Sequence, residues 1–178
     1  LDKWPVNAFC DNVWASNLKI EELKKDGLPT CLMGHSMGSF MTQSYLERHP
    51  GTADKVVIMG SNGPAKFLYD VSYFLAQVLA NKKNWDKPSK FITNLAMGGY
   101  AKAIKDRKTD LDWLSYNEEN VQKYLADPFC GSIKTNGFWH EFLKGMKTLY
   151  QKKSLANISK DEHILIVSGA DDPVGNMG

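Results

Sequence analysis

The chain has little of what several protein classes require. Only three of its 178 residues are cysteine, Cys10, Cys31 and Cys130, an odd number with no Cys-x-x-Cys pair. A disulfide framework or a zinc knuckle is therefore not expected, and a reducing, cytoplasmic setting is. No uninterrupted apolar run approaches the roughly 20 residues that span a bilayer. The opening is mixed and acidic from Asp2 onward, so neither a transmembrane segment nor a signal peptide is expected. There is no excess of one charge either. The 22 Lys and Arg oppose 20 Asp and Glu and lie scattered, which argues against a nucleic-acid surface. Histidine is scarce, at His35, His49, His140 and His163, and no ligand cluster forms around any of them, so no metal or cofactor is implied. The first residue is not methionine, and the chain is expected to be either part of a longer one or a truncated derivative. What remains, 43% hydrophobic and 24% charged, suits a globular domain able to bury a core.

The apolar pattern divides the chain. A helix is predicted over 11–25, with Asp11 as N-cap and Val13, Trp14, Leu18 and Ile20 on its apolar face. "TCLMG" is short, apolar and bounded by turn residues, as a buried strand would be. Helical spacing follows from Met37 to His49, stopped by Pro50-Gly51, and "KVVIMGS" reads as a second buried strand. Residues 29–61 thus predict a strand–helix–strand unit with parallel neighbours and a right-handed crossover. No strand is predicted over 63–158. Four aromatic-rich helical patterns fill it: 67–81, 90–105, 117–126 and 138–153. "HILIVSGADDPVG" then predicts a third buried strand that opens into a loop.

One short stretch concentrates chemistry. Gly34-His35-Ser36-Met37-Gly38 is G-x-S-x-G, set where an apolar strand ends and a helix begins. A serine on so sharp a turn is held in strained geometry with its Oγ above the sheet. Flanking positions packed against backbone would leave no room for a Cβ, which would account for Gly34 and Gly38. The new helix offers unpaired N–H groups and a positive dipole end, so the Met37 N–H is the first candidate donor to an oxyanion. An acid able to orient a histidine is expected at the end of a later strand, where Asp171 and Asp172 stand side by side. The competing explanation for both acids is turn capping ahead of Pro173.

On these residues the chain resembles the α/β-hydrolase superfamily, and within it the bacterial lysophospholipase and monoacylglycerol-lipase-like serine hydrolases. "LPTCLMGHSMGSF", "DWLSYNEENVQKYLADPFCG" and "SGADDPVGNMG" carry the resemblance. It implies an α/β fold: a parallel sheet flanked by helices, with 1–62 and 159–178 as core and 63–158 as a helical lid. It also implies Ser36 as nucleophile, in an elbow of Gly34, His35 and Gly38. Counting three residues from Gly169 makes Asp172 the triad acid, with Asp171 the runner-up. The order in the superfamily is Ser, Asp, His. No histidine follows Asp172, and no early strand with a second oxyanion donor precedes Ser36. The chain therefore reads as the middle of such a fold, lacking its early strands and its last strand.

None of the four histidines is expected to replace the base. His35 should point away from the serine's side and pack on the scaffold. His49 suits the negative end of its helix, and His163 opens the third strand at the far end. His140 lies in the insertion. The aromatic insertion helices should mostly pack on one another, with the remainder lining an apolar pocket for acyl chains. The charge pattern gives no direct support for a lid touching a membrane. Cys130 is expected to be a small buried apolar group. The implied partner is an ester or lipid substrate, most simply a monoacylglycerol, a lysophospholipid or another short-to-medium acyl ester. A prolyl-aminopeptidase-like or cinnamoyl-esterase-like specificity is the alternative within the fold. A non-catalytic protein that binds an acyl ligand or partner is the alternative outside enzymes. Exposed sheet edges would favour pairing with a second copy.

Overall fold

The computed structural model describes residues 5–175. Within them β1 (Cys31–His35), β2 (Lys55–Met59) and β3 (Ile164–Val167) form a parallel sheet in the order β1-β2-β3. His35 stands beside Met59, and Met59 beside Val167, so the C-terminal ends of all three strands are level. The loops that leave those ends therefore meet along one edge of the sheet. Two helices belong with the first two strands: α1 (Ala8–Lys25) precedes β1 and α2 (Met37–Arg48) joins β1 to β2. The predicted strand–helix–strand unit is present to within two residues at each end.

Between β2 and β3 the described elements are helical: α3 (Lys66–Leu79), α4 (Lys90–Ala103), a 3-10 turn (Asp112–Leu114), α5 (Glu118–Ala126), α6 (Asn136–Thr148) and the short α7 (Lys152–Leu155). One isolated antiparallel bridge, Pro88 with Thr135, is the sole β pairing described there. The pattern predicted as one helix over 138–153 is two. The break falls at Tyr150, which adopts φ 64° while its N–H donates to Glu47 Oε1 at 3.2 Å and its hydroxyl to the Asn62 carbonyl at 2.8 Å. Helix α6 packs along α3 and also meets α1, where the Phe9 ring lies over Gly145 and would sit 2.5 Å from a Cβ there.

The core gathers on one side of β2. Val56 and Ile58 are buried with Phe9, Val13 and Ile20 of α1, Tyr45 and Leu46 of α2, and Phe138, Trp139 and Leu143 of α6. Four expectations need correction. Helix α1 begins at Ala8, three residues before the predicted cap at Asp11; Asn7 takes the cap position in a left-handed conformation, its N–H donating to the buried Glu141 carboxylate at 2.8 Å. Its inward stripe is Val13, Asn17 and Ile20, a clean helical spacing, whereas Trp14 and Leu18 are exposed. The strands are not all buried: β2 alternates, but β1 and β3 each pair on one side only among the described residues, and Leu165 and Ile166 are exposed. Cys130 is also only partly buried, and that burial together with Asp127 pushes its thiol up.

Glu47 is the buried acid of α2. Burial raises its carboxyl above the usual value, against the lowering pull of the Tyr150 N–H and of Arg48. A raised folded value means the neutral form is favoured on folding, so Glu47 supports stability most fully below the unfolded value near 4.5 and loses that support as pH rises through the folded value. Glu47→Gln keeps an acceptor for Tyr150 and removes the charge. It is expected to raise the melting temperature at pH 7 by a few degrees relative to the parent and to leave it little changed near pH 4. Thermal unfolding at the two pH values checks this, and equal shifts at both would refute it.

Candidate functional site

Ser36 occupies the single-residue turn between β1 and α2 with φ 51° and ψ −119°. Asn7, Asp106 and Tyr150 also have positive φ. The strongly negative ψ of Ser36, however, takes it out of the left-handed helical well into a region costing about 1–3 kcal/mol for a residue with a Cβ. The surroundings hold it there. The Ser36 N–H donates to the Met59 carbonyl at 3.0 Å, tying the turn to β2. The Ser36 carbonyl accepts both the Ser39 N–H at 2.9 Å and the Ser39 hydroxyl at 2.5 Å. Ser39 is fully buried, so the second serine of the stretch is the turn's internal brace. Ser36 stands at the N-cap without a side-chain bond to the helix, and it is half-buried. Its Oγ is thus not spent on capping, and the Met37 N–H beside it belongs to the unpaired first turn.

The two glycines differ. A Cβ on Gly34 would lie 2.3 Å from the Gly38 carbonyl oxygen and 2.3 Å from Thr42 Oγ1, so β1 and α2 touch through that hydrogen. A Cβ on Gly38 would meet nothing within 4 Å among the described residues, which corrects the expectation that both flanks are sterically closed. Gly38 instead supplies the backbone against which Gly34 packs. Gly34→Ala is therefore expected to cost about 1–3 kcal/mol or more, and Gly38→Ala to be neutral or slightly stabilising, since Ala is the better helix former by up to about 1 kcal/mol. Urea unfolding of the two variants checks the contrast, and equal losses would contradict it.

The acid loop leaves β3 at the same edge. The Asp172 N–H donates to the Gly169 carbonyl at 3.1 Å, and Oδ1 accepts the Val174 N–H at 2.9 Å. Asp172 therefore does cap its own turn, while its Oδ2 faces Gly60, 3.6 Å from where a Cβ would be. The His35 ring approaches the same point from the other strand, with Nε2 and Cδ2 at 3.4 Å. Gly60, at φ 57°, thus lies between the residue before Ser36 and the acid loop; a Cβ there would touch both at ordinary contact distance, and the positive φ favours glycine. Its signal in the sequence is a glycine directly after a strand. His35 is exposed rather than packed into the scaffold, its ring lying toward β2 and the acid loop. Asp171 is exposed and accepts the Tyr116 hydroxyl. Tyr100 also lies at this edge: burial, and then the charge of Asp172, push its hydroxyl up.

The remaining histidines have other contacts. The His49 ring lies tilted against Trp14 and Tyr45, and burial lowers its value, so the neutral ring is favoured where a helix C-terminus would favour the charged one. The His140 ring lies against Tyr73 and Trp85, with Nδ1 2.9 Å from Glu141 Oε1. His163 is exposed just before β3. Among the described residues no three His, Cys, Asp or Glu side chains gather as a metal site would need. No helix among them is long and apolar enough to cross a membrane.

Known structures share this fold. A thermostable carboxyl esterase from Bacillus coagulans, solved in complex with glycerol, superposes with TM-score 0.78 at 22% identity over 90% of this chain and 52% of its own. A lipase in an open form gives 0.75 at 19% identity, over 97% of this chain and 57% of its own. A soluble variant of monoglyceride lipase from Saccharomyces cerevisiae, bound to a substrate analog, gives 0.61 at 18%, over 94% and 52%. The chain thus spans about half the length of these structures, and identities this low establish the fold alone. No curated protein matches it in sequence. Residues 5–178 match the family described as serine aminopeptidase, S33. With the level strand ends, the serine turn and the acid loop of this sheet, that match over nearly the whole chain makes it a member of the serine aminopeptidase S33 family of α/β-hydrolases.

Proposed function

We propose that the protein is a serine hydrolase of carboxylic esters, acting on monoacylglycerols, lysophospholipids or other short-to-medium acyl esters. The observation that carries this reading is the backbone of Ser36: a strained, braced serine at a strand–helix turn whose hydroxyl is not used for capping. A nucleophile elbow requires such a turn, and this supports the reading. In the reaction Ser36 Oγ attacks the ester carbonyl and its proton passes to a histidine base. The Met37 N–H and a second donor stabilise the tetrahedral oxyanion. The alkoxide leaves with that proton, and water then releases the acyl group from Ser36. Asp172, partly buried with Oδ2 turned back toward the strand ends, orients the base. In this reading His49 and His140, packed against aromatic rings, and His163, exposed just before β3, are not the base. Residues 63–158 serve as the lid, and their aromatic helices supply the acyl pocket.

The family's description favours a second reading, in which the same Ser36 chemistry opens an N-terminal peptide bond. One experiment tests both. The full-length protein is treated with a fluorophosphonate probe and the adduct located by mass spectrometry, with p-nitrophenyl butyrate and aminoacyl p-nitroanilides assayed in parallel. An adduct on Ser36 with ester turnover is expected. Turnover of the anilides alone would favour the peptidase, and folded protein that takes no label would end the catalytic assignment in favour of acyl binding without turnover.

A further inference from the structure

The connection between α4 and α5 touches the acid loop at a point the reaction above does not use. Tyr116 lies directly before Asn117, whose side chain caps α5 by accepting the Glu119 N–H at 2.9 Å. Its hydroxyl donates to Asp171 Oδ2, 55 residues away in sequence. The segment that presents Tyr116 is braced at its own base. Asp112 accepts the Lys108 and Thr109 N–H groups and the Thr109 hydroxyl, and Lys108 pairs with Glu118. Trp113, in the 3-10 turn, packs its ring against Tyr100, centroids 4.9 Å apart, and Tyr100 is the phenol that feels the charge of Asp172. Each acid of the loop therefore answers to one aromatic of the insertion: Asp171 by a hydrogen bond, Asp172 by proximity.

We infer that Tyr116 is a positioning residue, a strut from the helical insertion that fixes the acid loop through Asp171 and so holds the neighbouring Asp172 in register with the serine turn. This rests on the proposed hydrolase reading for its kinetic consequence but not for its mechanical one. On the sheet side the loop is held by the Asp172–Gly169 and Asp172–Val174 bonds, both internal to it. The Tyr116 bond reaches it from another element. Adjacent Cα atoms are 3.8 Å apart, so whatever holds Asp171 sets the position of Asp172 almost as closely. A displacement of about 1 Å in a catalytic group can cost about a hundredfold in rate. The partners are both exposed, so their loss should change local order far more than global stability.

The test uses the full-length protein and the variants Tyr116→Phe, Asp171→Ala and the double variant. Tyr116→Phe removes one oxygen from a side chain that is 88% exposed and should fold normally. Amide exchange in 168–175 is expected to quicken severalfold in either single variant, and by no more in the double, because both remove one contact. Exchange in the acid loop that Tyr116→Phe leaves unchanged, or effects that add in the double variant, would overturn the strut. With p-nitrophenyl butyrate, kcat is expected to fall about five- to tenfold with KM within twofold. A rise in KM with kcat unchanged would make Tyr116 a wall of the substrate site instead, and would overturn the inference. Parent protein without turnover would end the hydrolase reading while leaving the exchange measurement to decide the strut.

Discussion

Ser36→Gly is expected to abolish turnover and at the same time to outlast Ser36→Ala on heating. Removing the nucleophile of a serine–histidine–acid set typically costs about 10⁶-fold in kcat, and neither variant can form an acyl intermediate. They differ in the backbone. At φ 51° and ψ −119° alanine keeps the Cβ that makes the turn costly, whereas glycine does not. Relief of about 1–3 kcal/mol of strain is opposed by about 0.5–1 kcal/mol for glycine's freer unfolded chain. The glycine variant should therefore be the more stable by about 1 kcal/mol, which for a chain of this size is about 2–4 °C. Calorimetry of the two variants, with p-nitrophenyl butyrate hydrolysis alongside, separates the claims. Parent-like turnover in either variant removes Ser36 from the chemistry. A glycine variant less stable than the alanine one would mean the turn stores no strain.

That prediction was legible in the sequence because its causes are local. A short apolar strand, two glycines two residues either side of a serine and a helical pattern after it define the turn without reference to anything distant. The same holds for β2, with its β-branched Val56, Val57 and Ile58, and for the end of α2 at Pro50-Gly51. What escaped reading depends on partners far along the chain. The start of α1 is set by Glu141, 134 residues away, which accepts the Asn7 N–H. The break before α7 is set by Glu47 and Asn62, which hold Tyr150 in a conformation no tyrosine announces. Trp14 and Leu18 fit a plausible apolar face, but helical spacing from the buried Val13 selects Asn17 and Ile20 instead, and Asn17 can be inside because Tyr45 and Glu21 share its hydrogen bonds. Gly38 looked equivalent to Gly34 because the motif is symmetric, although the packing is not. Tyr100, Tyr116 and Gly60 join the site only through the tertiary fold, so no spacing rule could nominate the two tyrosines.

The two neighbouring acids give the second large effect. Asp172→Asn is expected to lower kcat about 10⁴-fold with KM little changed, because an amide neither fixes the right tautomer of the base nor stabilises the imidazolium. Asp171→Asn is expected to cost less than about tenfold, since the amide oxygen can take the place of the Oδ2 that accepts the Tyr116 hydroxyl. The comparison is fair because Asn at 172 can still accept the Val174 N–H that Oδ1 holds at 2.9 Å, and the backbone bond to Gly169 at 3.1 Å is untouched. The loop keeps its shape in both variants, and only the charge facing the strand ends is lost. Turn capping alone, the competing role for both residues, predicts near-parent kinetics for Asp172→Asn, because an amide caps as well as a carboxylate. A reversal, with Asp171→Asn inactive and Asp172→Asn active, would transfer the acid to Asp171. It would also mean that Tyr116 bonds directly to the catalytic carboxylate, so that Tyr116→Phe would then change the pH dependence of kcat and not only its size. Rates for the three variants across pH 5–9 distinguish these cases, since only the true acid partner sets the protonation of the base.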